Sequence, residues 1–286
     1  MTSDLRRSLL EALAAGGGED PGEQVREHVW EHVQIDLVDE IDSTNTALLE
    51  RARTTGDLRP RLLMAWRQTQ GRGRAGRPWA GEPGASLTWS WAQVLKSADW
   101  SGLSLAVGTA LADALDPGGS SGAPRLVLKW PNDLWIRDAQ APLGGRKAGG
   151  ILIETVSVQG VRLCVVGVGL NVRPLPEQTA KSFTTGMGCL QELDARWDAA
   201  EALLRAAPAV AHALALFERE GFAAFQQAFD RRDVLRGRPV VTSGTPALQG
   251  TACGVAADGA LLVRMADGQE RSVVAGEVSV RPSPVA

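Results

Sequence analysis

Leu5, Leu9, Leu10 and Leu13 recur at helical spacing in residues 2–15 and predict a short amphipathic helix with all four on one face. It ends at Gly16-Gly17-Gly18, a breaker and flexible joint. A short helical or extended piece is expected over 25–33, leading into the apolar run 35–38. Asp42-Ser43-Thr44-Asn45 then precedes Ala47-Leu48-Leu49, the order of an N-cap followed by a helix. Beyond this point the spacing alternates. Stretches 62–66 and 87–91 read as strands, 103–115 as a helix, and 126–130, 151–156 and 164–170 as strands again. Helices are expected over 197–220 and 222–229, whereas 174–189 has no assigned element. Strands interrupted by helices and longer loops predict a mixed-sheet α+β core.

After Arg232 the pattern becomes purely β-like. Runs at 239–241, 260–263 and 272–274 are separated by Asp258-Gly259 and Asp267-Gly268, and Asp-Gly between apolar runs is a strong hairpin signal. Strands this short need several neighbours, so a small closed β-barrel is expected at the C-terminal end.

Composition narrows the function classes. Of 286 residues, 44% are hydrophobic and 22% charged, with a net charge of -3; this describes a folded domain and argues against a chain that coats nucleic acid. No uncharged apolar stretch approaches the roughly 18 residues of a membrane span. Residues 1–10 lack the apolar core of a signal peptide, so secretion is not expected and a cytoplasmic location is. Cys164, Cys189 and Cys253 are widely spaced, without a CxxC pair, and support neither a disulfide framework nor a cysteine zinc site. The chain uses arginine by default. Its four lysines are Lys96, Lys129, Lys147 and Lys181, so a lysine within a polar motif hints at chemistry that arginine does not do.

Four segments carry candidate chemistry. Gly71-Arg72-Gly73-Arg74-Ala75-Gly76-Arg77 matches G-x-G-x-x-G, but Pro78 and Trp79 follow it, so no helix begins there to cradle a pyrophosphate. It reads instead as a loop able to wrap an anion with backbone N–H groups and arginine forks, or as a solvated basic loop. Lys129-Trp130-Pro131-Asn132-Asp133 ends an apolar strand. There Asn132 can bond a base or phosphate and Asp133 can hold Mg²⁺; the bland alternative is a plain Asn-Asp turn. Lys147, in the glycine loop 144–150 that runs into the buried strand from Ile151, can aim its ammonium into a cleft or simply sit on an exposed hairpin loop. Gly167-Val168-Gly169-Leu170-Asn171 ends another strand with small residues that allow close ligand approach. A fifth pattern, His28-Val29-Trp30-Glu31-His32, fits an inverted zinc-hydrolase motif, but His212 is the only other histidine, and a packed or solvated helix is the simpler reading.

Taken in order, Asp42 to Asn45, Gln68 with Gly71 to Arg77, Lys129 to Asp133, Lys147 to Leu152 and Gly167 to Asn171 resemble a biotin protein ligase. The resemblance spans about 130 residues, and the trailing β-unit is similar to that family's SH3-like C-terminal domain. It implies a helical extension over 1–34, a catalytic domain over 35–232 and an SH3-like domain over 233–286. It further implies biotin binding by Ser43, Thr44, Asn45, Gln68, Arg72, Gly73, Arg74 and Lys147, with Lys147, Arg72 and Arg74 catalytic. Lys129, Trp130, Asn132, Asp133 and Asn171 would serve ATP, Asp133 its Mg²⁺, and Trp79 and Trp130 the apolar walls. The implied partner is a biotin carboxyl carrier protein or domain, with the enzyme a monomer or weak homodimer. About 35 residues precede the core, too few for a winged helix, so DNA binding is not expected. A lipoate–protein ligase or transferase and a non-catalytic biotin sensor are the alternatives.

Overall fold

The computed structural model describes residues 2–15, 32–120, 122–141, 143–180, 183, 185–244, 246–274 and 280–282. His28 and nearly all of the 25–33 piece lie outside them. Helix α1 (Thr2–Ala15) buries Leu5, Leu9 and Leu13, while Leu10, one residue off the stripe, stays exposed. Strand β1 (Gln34–Ile41) passes through α2 (Thr44–Thr55) into β2 (Arg61–Gln68), a parallel pair with a helical crossover. From β2 onward every neighbouring pair in the sheet is antiparallel: β3 (Ser86–Val94), then, after α3 (Leu103–Leu115), β4 (Leu126–Lys129), β5 (Asp133–Arg137), β6 (Gly145–Val158) and β7 (Val161–Asn171). The order across this seven-stranded sheet is β1-β2-β3-β7-β6-β5-β4.

The sheet is covered on both faces because its strands alternate two apolar sets. Leu62, Met64, Leu87, Trp89 and Trp91 face the larger core, shared with α1, α3 and the helices α4 (Ala199–Glu220) and α5 (Ala223–Arg232). Leu63, Ala92, Val156, Leu163 and Val165 face the other way, onto Leu48, Leu49 and Ala52 of α2. Helix α4 is long and apolar enough to cross a membrane by length and composition. Its stripe of Ala202, Leu203, Ala206, Val210, Leu214 and Phe217 is instead buried in the larger core.

The C-terminal strands β8 (Pro239–Thr242), β9 (Gln249–Val255), β10 (Leu261–Arg264), β11 (Glu270–Val273) and β12 (Val280–Pro282) form an antiparallel sheet of order β11-β10-β9-β8-β12. Both expected Asp-Gly turns are present, with Gly259 and Gly268 at φ +79° and +82°. Strands β11 and β12 are the two ends, so among the described residues the expected ring is not closed by hydrogen bonds.

Two anchors tie the end of α5 to the first sheet. Arg232, almost fully buried, donates to Asp113 (2.8 Å), to Asp116 (3.1 Å) and to the carbonyls of Leu126 and Asp116 at the end of α3. The N–H of Val234 then donates to the Leu128 carbonyl at 3.0 Å. Between them sits Asp233. Its Oδ1 accepts the Leu235 N–H (2.8 Å), its buried Oδ2 has no hydrogen-bond partner, and burial pushes its pKa up to about 6 from 3.8. A carboxyl that holds its proton more tightly when folded stabilises the fold below about pH 4, and that contribution is lost as pH rises through about 6. Urea unfolding across this window should show a fall of up to about 3 kcal/mol from this group, and Asp233→Asn should flatten it.

Candidate active site

The face of the sheet toward α2 carries a polar row. Strand β3 turns Trp89 and Trp91 into the larger core and Thr88 and Ser90 toward α2. Ser43 caps α2, its Oγ accepting the Thr46 N–H at 3.4 Å. The Thr44 N–H donates to Gln68 Oε1 (2.7 Å), and the Thr44 hydroxyl lies 3.1 Å from the same oxygen. Ser90 donates to Asn45 Oδ1 (2.6 Å) and lies 2.6 Å from Thr44 Oγ1. Asn45 Nδ2 donates to the Leu152 carbonyl (3.2 Å) and to Glu154 Oε2 (2.9 Å). Ser43, Thr44, Asn45 and Gln68 are therefore brought together, with Ser90 and Glu154 as members that the motif reading missed.

The arginine loop folds back on itself. Gly73 N–H donates to the Arg77 carbonyl (2.7 Å), Trp79 N–H donates to that of Gly71 (2.8 Å), and Arg72 bridges Pro78. Only a single 3₁₀ turn, Arg74–Gly76, forms inside it, with Ala75 left-handed at φ +54°. This agrees with the rejection of a dinucleotide fingerprint. Arg72 reaches Glu154 (3.0 and 3.1 Å). Arg74 lies 3.4 Å from Asn132 Oδ1; burial lowers its pKa, and the Asp133 charge opposes that effect. Trp79 lies on a glycine floor, where a Cβ on Gly169 would come within 2.4 Å of its ring. Phe183 meets the indole edge-on, 6.3 Å between centroids.

Lys147 sits within a strand that begins earlier than expected: β6 starts at Gly145 rather than at Ile151, so the lysine lies on the strand itself and not on the loop leading into it. Its N–H donates to the Gly186 carbonyl (2.9 Å), and its own carbonyl accepts the Gly188 N–H (2.8 Å). Residues 186–188 of the unassigned stretch thus pair with β6 at the lysine, beyond the end of β7. Asn171, fully buried, donates from Nδ2 to the Gly188 (3.1 Å) and Lys147 (3.3 Å) carbonyls, so it braces this backbone; its Oδ1 is buried without a hydrogen-bond partner.

Lys147 Nζ is 2.7 Å from Asp133 Oδ1, and Lys129 Nζ is 3.9 Å from Oδ2. Burial alone would raise the Asp133 pKa, but Lys147, Lys129 and Arg74 hold it below the usual carboxylate range. Three cations thus face one mostly buried carboxylate. Asn132 spends Nδ2 on the Ile151 carbonyl (2.8 Å), which fixes the β4–β5 turn. Asp133 does not fit a protein-held Mg²⁺. Its oxygens are engaged by two ammonium groups, and no cluster of three His, Cys, Asp or Glu suited to a metal exists among the described residues. His32 belongs to no such cluster either.

Trp130 is a further correction. Its side chain lines no cleft; it is fully buried, and its indole N–H donates to the Gly259 carbonyl of the C-terminal sheet at 3.0 Å.

Residues 37–171 match the Biotin/lipoate A/B protein ligase family, and 237–281 match the Biotin protein ligase C terminal domain. The bifunctional ligase/repressor BirA of Escherichia coli is 35% identical over 251 residues, covering 84% of this chain and 72% of that protein. This chain belongs to the biotin protein ligase family. The biotin--[acetyl-CoA-carboxylase] ligase of Mycobacterium tuberculosis is 37% identical over 155 residues, 53% of this chain and 54% of that one. Among solved structures, the biotin protein ligase from Aquifex aeolicus in complex with biotin and ATP has a TM-score of 0.71 at 28% identity, over 87% of this chain and 99% of that one.

In this biotin protein ligase core the polar row and the cation cluster share two strands. Leu152, opposite Gly167, belongs to the row; Gly150, opposite Gly169 and Asp133, belongs to the cluster. They stand one two-residue step apart, about 7 Å along the strand. Glycine is required at the row, because a Cβ on Gly167 would lie 2.3 Å from Asn45 Oδ1, whereas one on Gly150 would come no closer than 3.4 Å to the flexible end of Lys147. Gly167→Ala should destabilise the fold by about 1–3 kcal/mol and Gly150→Ala by less than about 1. Denaturant unfolding of the two variants measures the difference.

Proposed function

We propose that this protein activates biotin with ATP as biotinyl-5'-AMP and transfers it to a lysine of a biotin carboxyl carrier domain. The observation that carries this reading is the adjacency of a desolvated cation cluster to a polar row on one glycine-floored strand pair. A ligand with a polar head and an anionic tail fits that order. The match of 237–281 to the Biotin protein ligase C terminal domain favours biotin over lipoate, and the intact Lys147–Asp133 pair favours an enzyme over a sensor.

In the first step a biotin carboxylate oxygen attacks the α-phosphorus of ATP, the bond to the β-phosphate oxygen breaks, and pyrophosphate leaves. In the second, an acceptor lysine amine attacks the mixed-anhydride carbonyl, the bond to AMP breaks, and the amine loses its proton. No enzyme nucleophile is needed, so the protein contributes position and charge. Ser43, Thr44, Asn45 and Gln68 hold the polar head of biotin. Lys147 stands where carboxylate meets phosphate, and its ammonium offsets the charge gathered there. Lys129, Asn132 and Asp133 form the nucleotide end with the backbone braced by Asn171, and any Mg²⁺ enters with ATP as part of the substrate. Arg72 and Arg74, with the Gly73 backbone, close over the carboxylate and phosphate and exclude water from the anhydride. In the present conformation Arg72 rests on Glu154, an anion that a substrate carboxylate would replace.

The same reading assigns catalysis to 35–232, an SH3-like unit to 233–286, and a buttressing role to the N-terminal helix, whose leucines are spent on the core. It places the enzyme in the cytoplasm as a monomer or weak homodimer. Three widely spaced cysteines without a CxxC pair agree with that location. The net charge of -3 supports a protein partner rather than DNA.

Lys147→Ala should lower adenylate formation by about 100-fold or more, read as biotinyl-5'-AMP in a single turnover, with the melting transition largely kept. A rate near that of the unaltered enzyme would remove Lys147 from the reaction. Arg74→Gly should shorten the half-life of bound adenylate and spread label onto bystander lysines; an unchanged half-life would contradict the closing role of the loop.

A further inference from the structure

The C-terminal sheet touches the first sheet at the turn that carries Asn132 and Asp133. The contact is built from two glycines that tolerate no side chain. Gly259, at φ +79° in the β9–β10 turn, would place a Cβ 2.6 Å from the Gly102 Cα. Gly102, at φ +78° before α3, would place one 2.6 Å from Phe222. This close approach brings the Gly259 carbonyl to the indole N–H of Trp130 at 3.0 Å, inside a fully buried environment. The turn is shaped by its own bonds, with Asp258 Oδ1 accepting the Ala260 N–H (3.0 Å) and the Gly259 N–H donating to the Ala256 carbonyl (2.9 Å).

Trp130 is the residue between Lys129, the last of β4, and the turn that delivers Asn132 and Asp133, and Lys129 pairs directly with Asp133 across it. A second contact lies at the far end of the β5–β6 hairpin, where the guanidinium of Arg238, just before β8, packs against Gly144. The meander that carries Lys129, Asp133 and Lys147 is therefore met by the C-terminal unit at both of its turns. We infer that Trp130 is a positioning residue, tied through its indole N–H to the Asp258-Gly259 turn, by which the C-terminal sheet sets the geometry of the nucleotide half of the site. This rests on the reading of Lys129, Asn132 and Asp133 as the ATP end proposed above. The polar row lies on β2, β3, β7, α2 and the Leu152–Glu154 end of β6, away from the Trp130–Gly259 contact, so the tie acts on the nucleotide end and not on the row.

The test is a pair of variants on either side of the contact, in the full chain, assayed by biotin-dependent exchange of pyrophosphate into ATP. Trp130→Phe keeps the ring and removes the N–H; Asp258→Ala loosens the turn without altering the first sheet. Both should raise the KM for ATP about tenfold, the worth of one buried hydrogen bond, with the KM for biotin within about twofold and the melting temperature shifted by a few degrees. Should Trp130→Phe fail to fold, Asp258→Ala alone decides the matter. An unmoved KM for ATP, or a parallel rise for both substrates, would overturn the proposal while leaving the function standing. Absence of exchange in the unaltered protein would overturn the functional reading, and this inference with it.

Discussion

The Asp133 carboxylate, held between Lys147 and Lys129 with Arg74 close by, is the constraint on which the rest of the site depends. Ammonium groups withdrawn from water are costly unless paired, and one carboxylate cannot neutralise three cations. The cluster is stable enough to exist because each cation is also held by something else. The ring of Trp135 lies 5.6 Å from Lys129 Nζ, that of Trp79 lies 5.7 Å from Lys147 Nζ, and Asn132 is in reach of Arg74. Three cations gathered on one partly buried carboxylate make a place where an incoming carboxylate and phosphate chain are favoured. Such a place stabilises charge gathered between two anions more than it stabilises either alone, and this is what an adenylation step requires.

The sheet delivers this cluster to the right neighbour. Antiparallel pairing of β6 with β7 sets Gly150 opposite Gly169 and Leu152 opposite Gly167, and the alternation of β3 exposes Ser90 to the same face. The N-terminus of α2 then closes the row from above, with Ser43 capping it and Thr44 and Asn45 turned inward. The distance between row and cluster is fixed by backbone repeat, which makes it rigid.

Much of the fold was legible, because the helices and buried strands follow strong apolar periods: α3 begins and ends where its leucines do, and both Asp-Gly turns sit between strands. The α2 cap was legible for the same local reason. Errors arose where tertiary pairing overrode local signals. Glycines around Lys147 suggested a loop, yet the chain there is extended by partners at Gly186 and Gly188, far along the sequence. Trp130, inside a polar motif, pointed to the cleft, but its neighbour is a carbonyl 129 residues away. Ser90 and Glu154 carry no motif. The alternation of Thr88 and Ser90 with two tryptophans was the available sign that one face of β3 is polar for a purpose. The strap at 186–188 has no local period, since its role is to pair with β6.

The central claim is that the cluster and the row together make an acyl adenylate from biotin. Biotin-dependent exchange of labelled pyrophosphate into ATP tests it most directly, with lipoate and octanoate run alongside. Exchange with biotin alone is the predicted result. Exchange driven by lipoate, or none with any acid from protein that demonstrably binds biotin, would contradict the account.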